Sequence, residues 1–100
     1  MFKIYGLLGQ RDINDVIPEI VYYYLFDGLS LTAIEEKLFN TDELHGWLSK
    51  VFLNYYGIDT ERDNKGIYSN RSIADVVDEL YHSKRIEHVR VAKLLKEKFL

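Results

Sequence analysis

The chain has 100 residues, 47% of them apolar and 14% aromatic, with one proline and no cysteine. This composition predicts a single globular domain over residues 1–100, and the missing thiols exclude disulfides and cysteine metal sites. The formal net charge is −3, with four basic against eight acidic side chains in residues 1–50 and nine against eight in residues 51–100. A cytoplasmic location without a membrane partner is expected, because no apolar run has the length of a membrane span or of a signal peptide.

The first predicted element is a helix that starts near Asp15 and stops at Gly28. Its apolar side chains recur at the spacing of one helical face, i, i+3, i+4, i+7 and i+8. These side chains are Ile17, Ile20, Val21, Tyr24 and Leu25. Asp15 is the predicted N-cap, which places Pro18 in the first turn. A strand through residues 20–26 is the alternative, because Ile, Val, Tyr and Phe are also good strand formers.

Two further helices are predicted at close intervals. Ser30 is the N-cap expected for a short helix with Leu31, Ile34 and Leu38 inward and residues 35–37 outward. The sequence NTDE at residues 40–43 matches a capping box, so the next helix is expected over residues 41–56, closed by Gly57. The inward stripe predicted for this helix contains Leu44, Trp47, Leu48, Val51, Phe52 and Tyr55.

The C-terminal half is predicted to be a connection followed by helices over residues 72–100. Residues 58–71 form a loop or, at residues 58–68, a small β-hairpin around the turn sequence DNKG. Ser72 and Ser83 are the predicted caps of two helices, whose apolar stripes begin at Ile73 and Ile86 and include Tyr81. One fused helix is the alternative, although the two stripes do not stay in phase. The expected fold is therefore mainly all-α, a compact bundle of about five short helices, with MFKIYG as a candidate short strand at the N-terminus.

Residues 15–57 resemble helix-turn-helix DNA-binding domains in the order of their elements. The phrase LFDGLSLTAIEEKLFNTDELHGWLSKVF carries this resemblance, with a Gly-x-Ser entry, a short helix, a turn and another helix. Ile34, Leu38 and Leu48 occupy the core positions of the motif. The resemblance implies a trihelical unit in a small regulatory protein that binds double-stranded DNA, usually as a two-fold dimer.

Two positions depart from the helix-turn-helix pattern. Glu35 stands where a small Ala is usual because the helices approach closely, and Phe39 stands where a turn Gly is common. A turn longer than that of the motif would accommodate both side chains. A hairpin at residues 58–68 would occupy the place of the wing in a winged-helix domain.

The resemblance makes residues 41–56 the candidate recognition helix. His45, Ser49, Lys50 and Asn54 are its candidate contacts to bases or phosphates. Asp42 and Glu43 oppose phosphate binding at the end of the helix that normally reaches the bases.

The basic C-terminal tail supplies a second set of candidates. Lys84, Arg85 and His88, near the start of the last helix, are candidates for nucleic-acid binding through an anion contact. Other charged residues of this helix, Arg90 among them, are spaced as ordinary intrahelical pairs and are predicted to be solvated surface.

The aromatic side chains support a second hypothesis, a non-enzymatic protein-interaction module that acts as an adaptor or an inhibitor. Surplus Tyr and Phe on a surface often mark an interface, although Tyr also buries its ring while its hydroxyl stays in water. The candidate interface residues are Tyr22, Tyr23, Phe26 and Tyr56, and a homodimer through residues 1–8 or through the last helix fits both hypotheses. An enzyme, a metal and a cofactor are not expected, because no phosphate loop or metal-binding spacing occurs.

Overall fold

The computed structural model describes residues 13–100, and within this range all regular secondary structure is α-helical. The helices are α1 (Ile13–Leu25), α2 (Leu31–Phe39), α3 (Trp47–Tyr55), α4 (Ile73–Tyr81) and α5 (Ile86–Phe99). The all-α prediction is confirmed, and residues 58–68 form turns rather than a β-hairpin. The short strand predicted in MFKIYG lies outside the described residues.

The triple-tyrosine run lies in a helix, so the helical interpretation of residues 20–25 is confirmed. Ile20 and Val21 are fully buried, as the apolar stripe predicts. The helix starts earlier than expected, at Ile13, so Asp15 lies in its first turn rather than at the cap. A carboxylate in the first turn is still stabilised by the positive end of the helix dipole. Pro18 consequently lies inside the helix and is not part of its first turn.

One hydrophobic core contains side chains from all five helices. Its buried members are Val16, Ile20, Val21, Tyr24, Leu25 and Phe26, then Ile34, Leu48, Phe52 and Leu53, then Val76, Val77, Leu80, Val91, Ala92 and Leu95. In α4 and α5, two residues that the periodicity places inward are exposed: Tyr81 at 36% and Ile86 at 74%. Val91 faces the core, and Ile86, on another side of α5, faces solvent.

Serine caps begin two of the helices as predicted. Ser30 Oγ accepts the Ala33 N–H at 3.2 Å, and Ser72 Oγ accepts the Asp75 N–H at 3.1 Å. The break between α4 and α5 is also confirmed, but α5 begins after Arg85 and not directly after Ser83.

The connection between α3 and α4 folds back onto the end of α1. Gly66 N donates to Tyr24 O at 2.8 Å, Tyr68 N donates to Leu25 O at 2.9 Å, and Ser69 Oγ donates to Phe26 O at 3.0 Å. Gly66 has φ +67°, and a Cβ there would lie 2.9 Å from Ser69 Oγ, so only glycine fits this contact without displacement. The connection thereby supplies donors to the last carbonyls of α1, which receive no N–H from within the helix.

Candidate nucleic-acid interface

A buried carboxylate joins α2 to α3. Glu35 is fully buried; its Oε1 accepts the Gly46 N–H at 2.7 Å and its Oε2 accepts the Ser49 N–H at 3.0 Å. N–H groups in the first turn of a helix lack an acceptor within the helix, and the helix dipole favours a negative charge there. Glu35 therefore caps α3 from a neighbouring helix, and the prediction that it faces outward is wrong.

Residues 40–46 form a turn between α2 and α3, so the helix predicted from residue 41 begins only at Trp47. The chain takes positive φ at Asn40, His45 and Gly46, with values of 54°, 53° and 82°. A Cβ on Gly46 would lie 2.8 Å from the Cβ of Leu31, because the chain passes close to α2 before it enters α3. The capping box does not define the start of this helix, since Gly46 occupies the N-cap position.

The hydrogen bond from Ser49 to Glu35 sets which side of α3 is buried. The inward side consists of Leu48, Ser49, Phe52 and Leu53. Trp47 and Tyr55, predicted to face inward, are 55% and 65% exposed. Each residue advances about 100° around a helix, so a shift of one residue in the buried stripe moves both rings to the solvent side.

The outward side of α3 combines aromatic, amide and basic side chains. Lys50 and Asn54 are exposed and lie one turn apart, between Trp47 and Tyr55. Arg90 of α5 joins them: its guanidinium lies 4.8 Å from the centre of the Tyr55 ring and 5.0 Å from that of Tyr56. We call Trp47, Lys50, Asn54, Tyr55 and Arg90 the α3 face.

Arg90 is the charged member of the α3 face that sequence reasoning missed, besides the two rings predicted to face inward. The spacing along α5 predicts only local pairs for this residue, whereas its guanidinium also lies 3.4 Å from the backbone oxygen of Tyr55. No local pattern signals a contact between residues so far apart in the chain. A Tyr-Tyr pair at the end of a helix, next to a separate basic helix, was the available hint.

The structure separates the candidates predicted on the recognition helix. His45, Lys50 and Asn54 are exposed, with Lys50 Nζ 3.4 Å from Glu61 Oε1. Ser49 is fully buried, and its hydroxyl donates to Leu31 O at 3.3 Å. Ser49 is therefore wrong as a nucleic-acid contact, because its side chain faces α2.

The basic candidates at the start of α5 lie beside a cleft of about 360 Å³. Arg85 and His88 line this cleft. Its other lining residues are Leu25, Tyr56, Gly57, Ile58, Asp59, Arg62, Asn64, Ile67, Tyr68, Leu80, Glu87 and Val91. His88 is half-buried, and its Nδ1 lies 2.7 Å from Ser83 Oγ. Lys84 is exposed in the connection before α5. We call this feature the α5 cleft.

The aromatic interface candidates lie mainly in a cluster around the end of α1. Phe26 is only 7% exposed, and its ring stacks on that of Tyr22 with 4.9 Å between the ring centres. Phe26 therefore belongs to the core, and its prediction as an interface residue is wrong. Tyr22 is half-buried, and its ring centre lies 5.0 Å from that of Phe99. Tyr23 and Tyr56 are also half-buried, and Lys37 Nζ lies 4.8 Å from the centre of the Tyr23 ring.

No family model matches the chain, and the comparisons with curated proteins and with solved structures give no similar protein. Within residues 13–100, no group of three or more His, Asp or Glu side chains is arranged to hold a metal ion. Over the same residues, none of the helices combines the length and the apolar character needed to cross a bilayer.

Proposed function

We propose that the protein is a small helix-turn-helix-like regulatory protein that binds double-stranded DNA through the α3 face. The observation that carries this proposal is the pairing of Lys50 and Asn54 on the exposed side of the third helix of a trihelical unit. Both side chains are free of the core, and Arg90 adds a guanidinium beside them. This is the combination of groups that reads DNA in a groove.

Each polar group of the α3 face has a chemical role in this proposal. A major groove admits one α-helix, and the carboxamide of Asn54 is able to make paired hydrogen bonds to an adenine edge. Lys50 and Arg90 neutralise phosphates and release counterions, which is the main source of affinity for DNA. The contact to Glu61 does not compete strongly with this role, because exposed pairs of this kind contribute little.

The acidic residues before α3 determine how the helix approaches DNA. Asp42 and Glu43 are exposed at the N-terminal side, where they would repel phosphates. The basic groups Lys50 and Arg90 lie further along, and Arg90 reaches the C-terminal end of α3 through Tyr55. We therefore expect α3 to approach the groove with its C-terminal half.

We propose that the protein binds DNA as a homodimer, because the α3 face of one chain carries only two basic groups, Lys50 and Arg90. Two protomers double the phosphate contacts, and a two-fold dimer recognises half-sites separated by about one turn of DNA, roughly 10 base pairs. The salt dependence then reports the number of contacts made.

Fluorescence anisotropy with a labelled duplex tests the DNA proposal. Two phosphate contacts per protomer predict roughly a tenfold loss of affinity per protomer between about 50 and 200 mM salt. Lys50→Ala and Arg90→Ala should each weaken binding. Each should also reduce the slope of log affinity against log salt concentration by about 1, the contribution of one phosphate contact. Lys98→Ala is the matched control, because this lysine lies at the far end of α5, 3.8 Å from Asp15. Absence of binding by the unmodified protein at about 50 mM salt would contradict the proposal.

The exposed rings favour a protein partner as the second candidate function. Trp, Tyr and Arg dominate the energetics of protein interfaces, and Trp47, Tyr55 and Arg90 lie together on the α3 face. Under this alternative, Trp47→Ala and Tyr55→Ala disrupt a complex or a dimer, whereas Lys50→Ala has little effect. Sedimentation velocity of the three variants separates the two functions.

A further inference from the structure

The α5 cleft has the dimensions and the inner surface of a small-molecule site. Its volume of about 360 Å³ lies in the usual range for ligand pockets. Leu25, Leu80 and Val91 line it and are buried, so they form its apolar inner wall. Tyr56 and Tyr68 also line the cleft. A flat apolar group fits such a surface, because aromatic rings stack on tyrosine and displace water from aliphatic side chains.

Two guanidinium groups at the cleft are available to a ligand. The side chains of Arg62 and Arg85 are 83% and 70% exposed. Each forms a long ion pair: Arg62 Nε lies 3.4 Å from Asp59 Oδ2, and Arg85 Nε lies 3.9 Å from Glu87 Oε2. Exposed ion pairs of this geometry contribute little free energy, so either guanidinium is able to turn to a new anion at small cost.

Two further side chains at the cleft carry donors. Ser83 Oγ accepts the Arg85 N–H at 3.2 Å and lies 2.7 Å from His88 Nδ1. This contact occupies Nδ1, so Nε2 is the ring nitrogen of His88 that is left for a ligand. Burial raises the pKa of Tyr68 and Glu79 raises it further, against the opposing effect of Arg71. The Tyr68 hydroxyl therefore stays protonated at neutral pH and is also able to donate.

The carboxylates at the cleft are held by contacts within the chain. Asp59 Oδ1 accepts the Glu61 N–H at 2.9 Å, while its second oxygen faces Arg62. Glu87 packs its stem against Gly57, where an added Cβ would lie 2.7 Å from Glu87 Cγ. Asp59 and Glu87 are therefore the more restricted side chains, 50% and 42% exposed, against 83% and 70% for Arg62 and Arg85.

We propose that the α5 cleft binds a small amphipathic anion, a molecule with a flat apolar body and one carboxylate or phosphate group. The apolar body lies against Leu80, Val91 and the two tyrosines, and the anionic group meets Arg62, Arg85 and His88. The cleft shares no residue with the α3 face, and the two surfaces adjoin at Tyr56, whose ring centre lies 5.0 Å from the Arg90 guanidinium.

Titration of the ¹⁵N-labelled full chain with four probes tests the site, followed through backbone amide chemical shifts. The probes are phenyl phosphate, phenylacetate, the neutral phenylacetamide and inorganic phosphate. At least one of the two amphipathic anions should cause saturable shifts at residues lining the cleft. Phenylacetamide should bind about tenfold more weakly than phenylacetate, because it lacks the charge that strengthens one hydrogen bond to the guanidinium. A preference for phenyl phosphate assigns the natural ligand to phosphate esters, and a preference for phenylacetate assigns it to carboxylates.

Variants locate the binding and supply the controls. Arg85→Gln should weaken binding of the anion about tenfold, whereas Lys98→Gln, with the same change of charge, should leave it unchanged. Ile67→Ala should weaken it by a few fold, because Ile67 lines the cleft and is 48% exposed, so its loss leaves the core intact. Three results overturn the proposal: no saturable shift with either anion, binding that Arg85→Gln does not change, or equal affinity for inorganic phosphate and phenyl phosphate. The DNA measurement has a separate readout, so neither failure implies the other.

Discussion

The α2–α3 pair and the α4–α5 pair are both two helices joined by a short connection, but they are held together differently. In the first pair a buried carboxylate, Glu35, binds two backbone N–H groups at the start of the next helix. In the second pair apolar side chains such as Val77 and Leu95 are buried, and the polar contact between Ser83 and His88 lies near the surface. Apolar packing permits small rotations of a helix, whereas paired hydrogen bonds fix its angle. The α3 face is therefore set by a directional contact.

The largest expected effect comes from removing the buried carboxylate. Glu35→Ala leaves the Gly46 and Ser49 N–H groups buried without an acceptor, so the free energy of unfolding should fall by about 3 kcal/mol. Glu35→Gln keeps one acceptor oxygen and should cost roughly half as much. Urea denaturation followed by circular dichroism measures both values. Glu36→Ala on the exposed side of α2 is the control, and equal stability of the Glu35→Ala and Glu36→Ala variants would show that the carboxylate does not hold the pair.

A smaller effect is expected at the start of the second pair. Ser72→Ala removes the side-chain acceptor of the Asp75 N–H, so the free energy of unfolding should fall by about 1 kcal/mol. Ser72→Asp should retain most of the stability, because Asp is also a good N-cap. Thermal unfolding of the two variants compares them, and an equal loss in both would contradict a capping role for Ser72.

The smallest effect is expected at the surface contact between α4 and α5. Ser83→Ala removes the contacts of one hydroxyl with His88 Nδ1 and with the Arg85 N–H, both at least partly open to water, so the free energy of unfolding should fall by about 0.5 kcal/mol. The nitrogen chemical shifts of the His88 ring should respond, because Nδ1 loses its partner. A loss as large as that of Glu35→Ala would show that the two pairs do not differ in the way described.

The contrast between the pairs also explains which features the sequence could predict. The serine caps at Ser30 and Ser72 and the all-α fold follow from local rules of capping and periodicity, and the structure has them. The inward side of α3 does not follow from these rules. Apolar periodicity treats Trp47 as core, whereas the acceptor for the Ser49 N–H comes from Glu35 in the preceding helix. A charged residue in a predicted helix gives no sign of which distant N–H groups it will bind.

The candidate site shows the same limit. Lys50 and Asn54 were found by their place on the candidate recognition helix, and both are exposed. Arg90 was assigned to local pairs on its own helix, because its contact with Tyr55 joins two separate helices. The α5 cleft likewise draws its lining from three helices, α1, α4 and α5, and from the segments between helices, so no single stretch of sequence contains its pattern.

The docking of residues 66–69 on the end of α1 has a consequence for any attempt to cut the protein into pieces. A shortened chain that stopped after Gly57 would contain α1, α2 and α3, but the carbonyls of Tyr24, Leu25 and Phe26 would lose their donors. On the ribosome, α1 likewise has to wait for these later residues to emerge before its end is closed. Grafting the unit onto another protein therefore requires carrying the downstream segment with it.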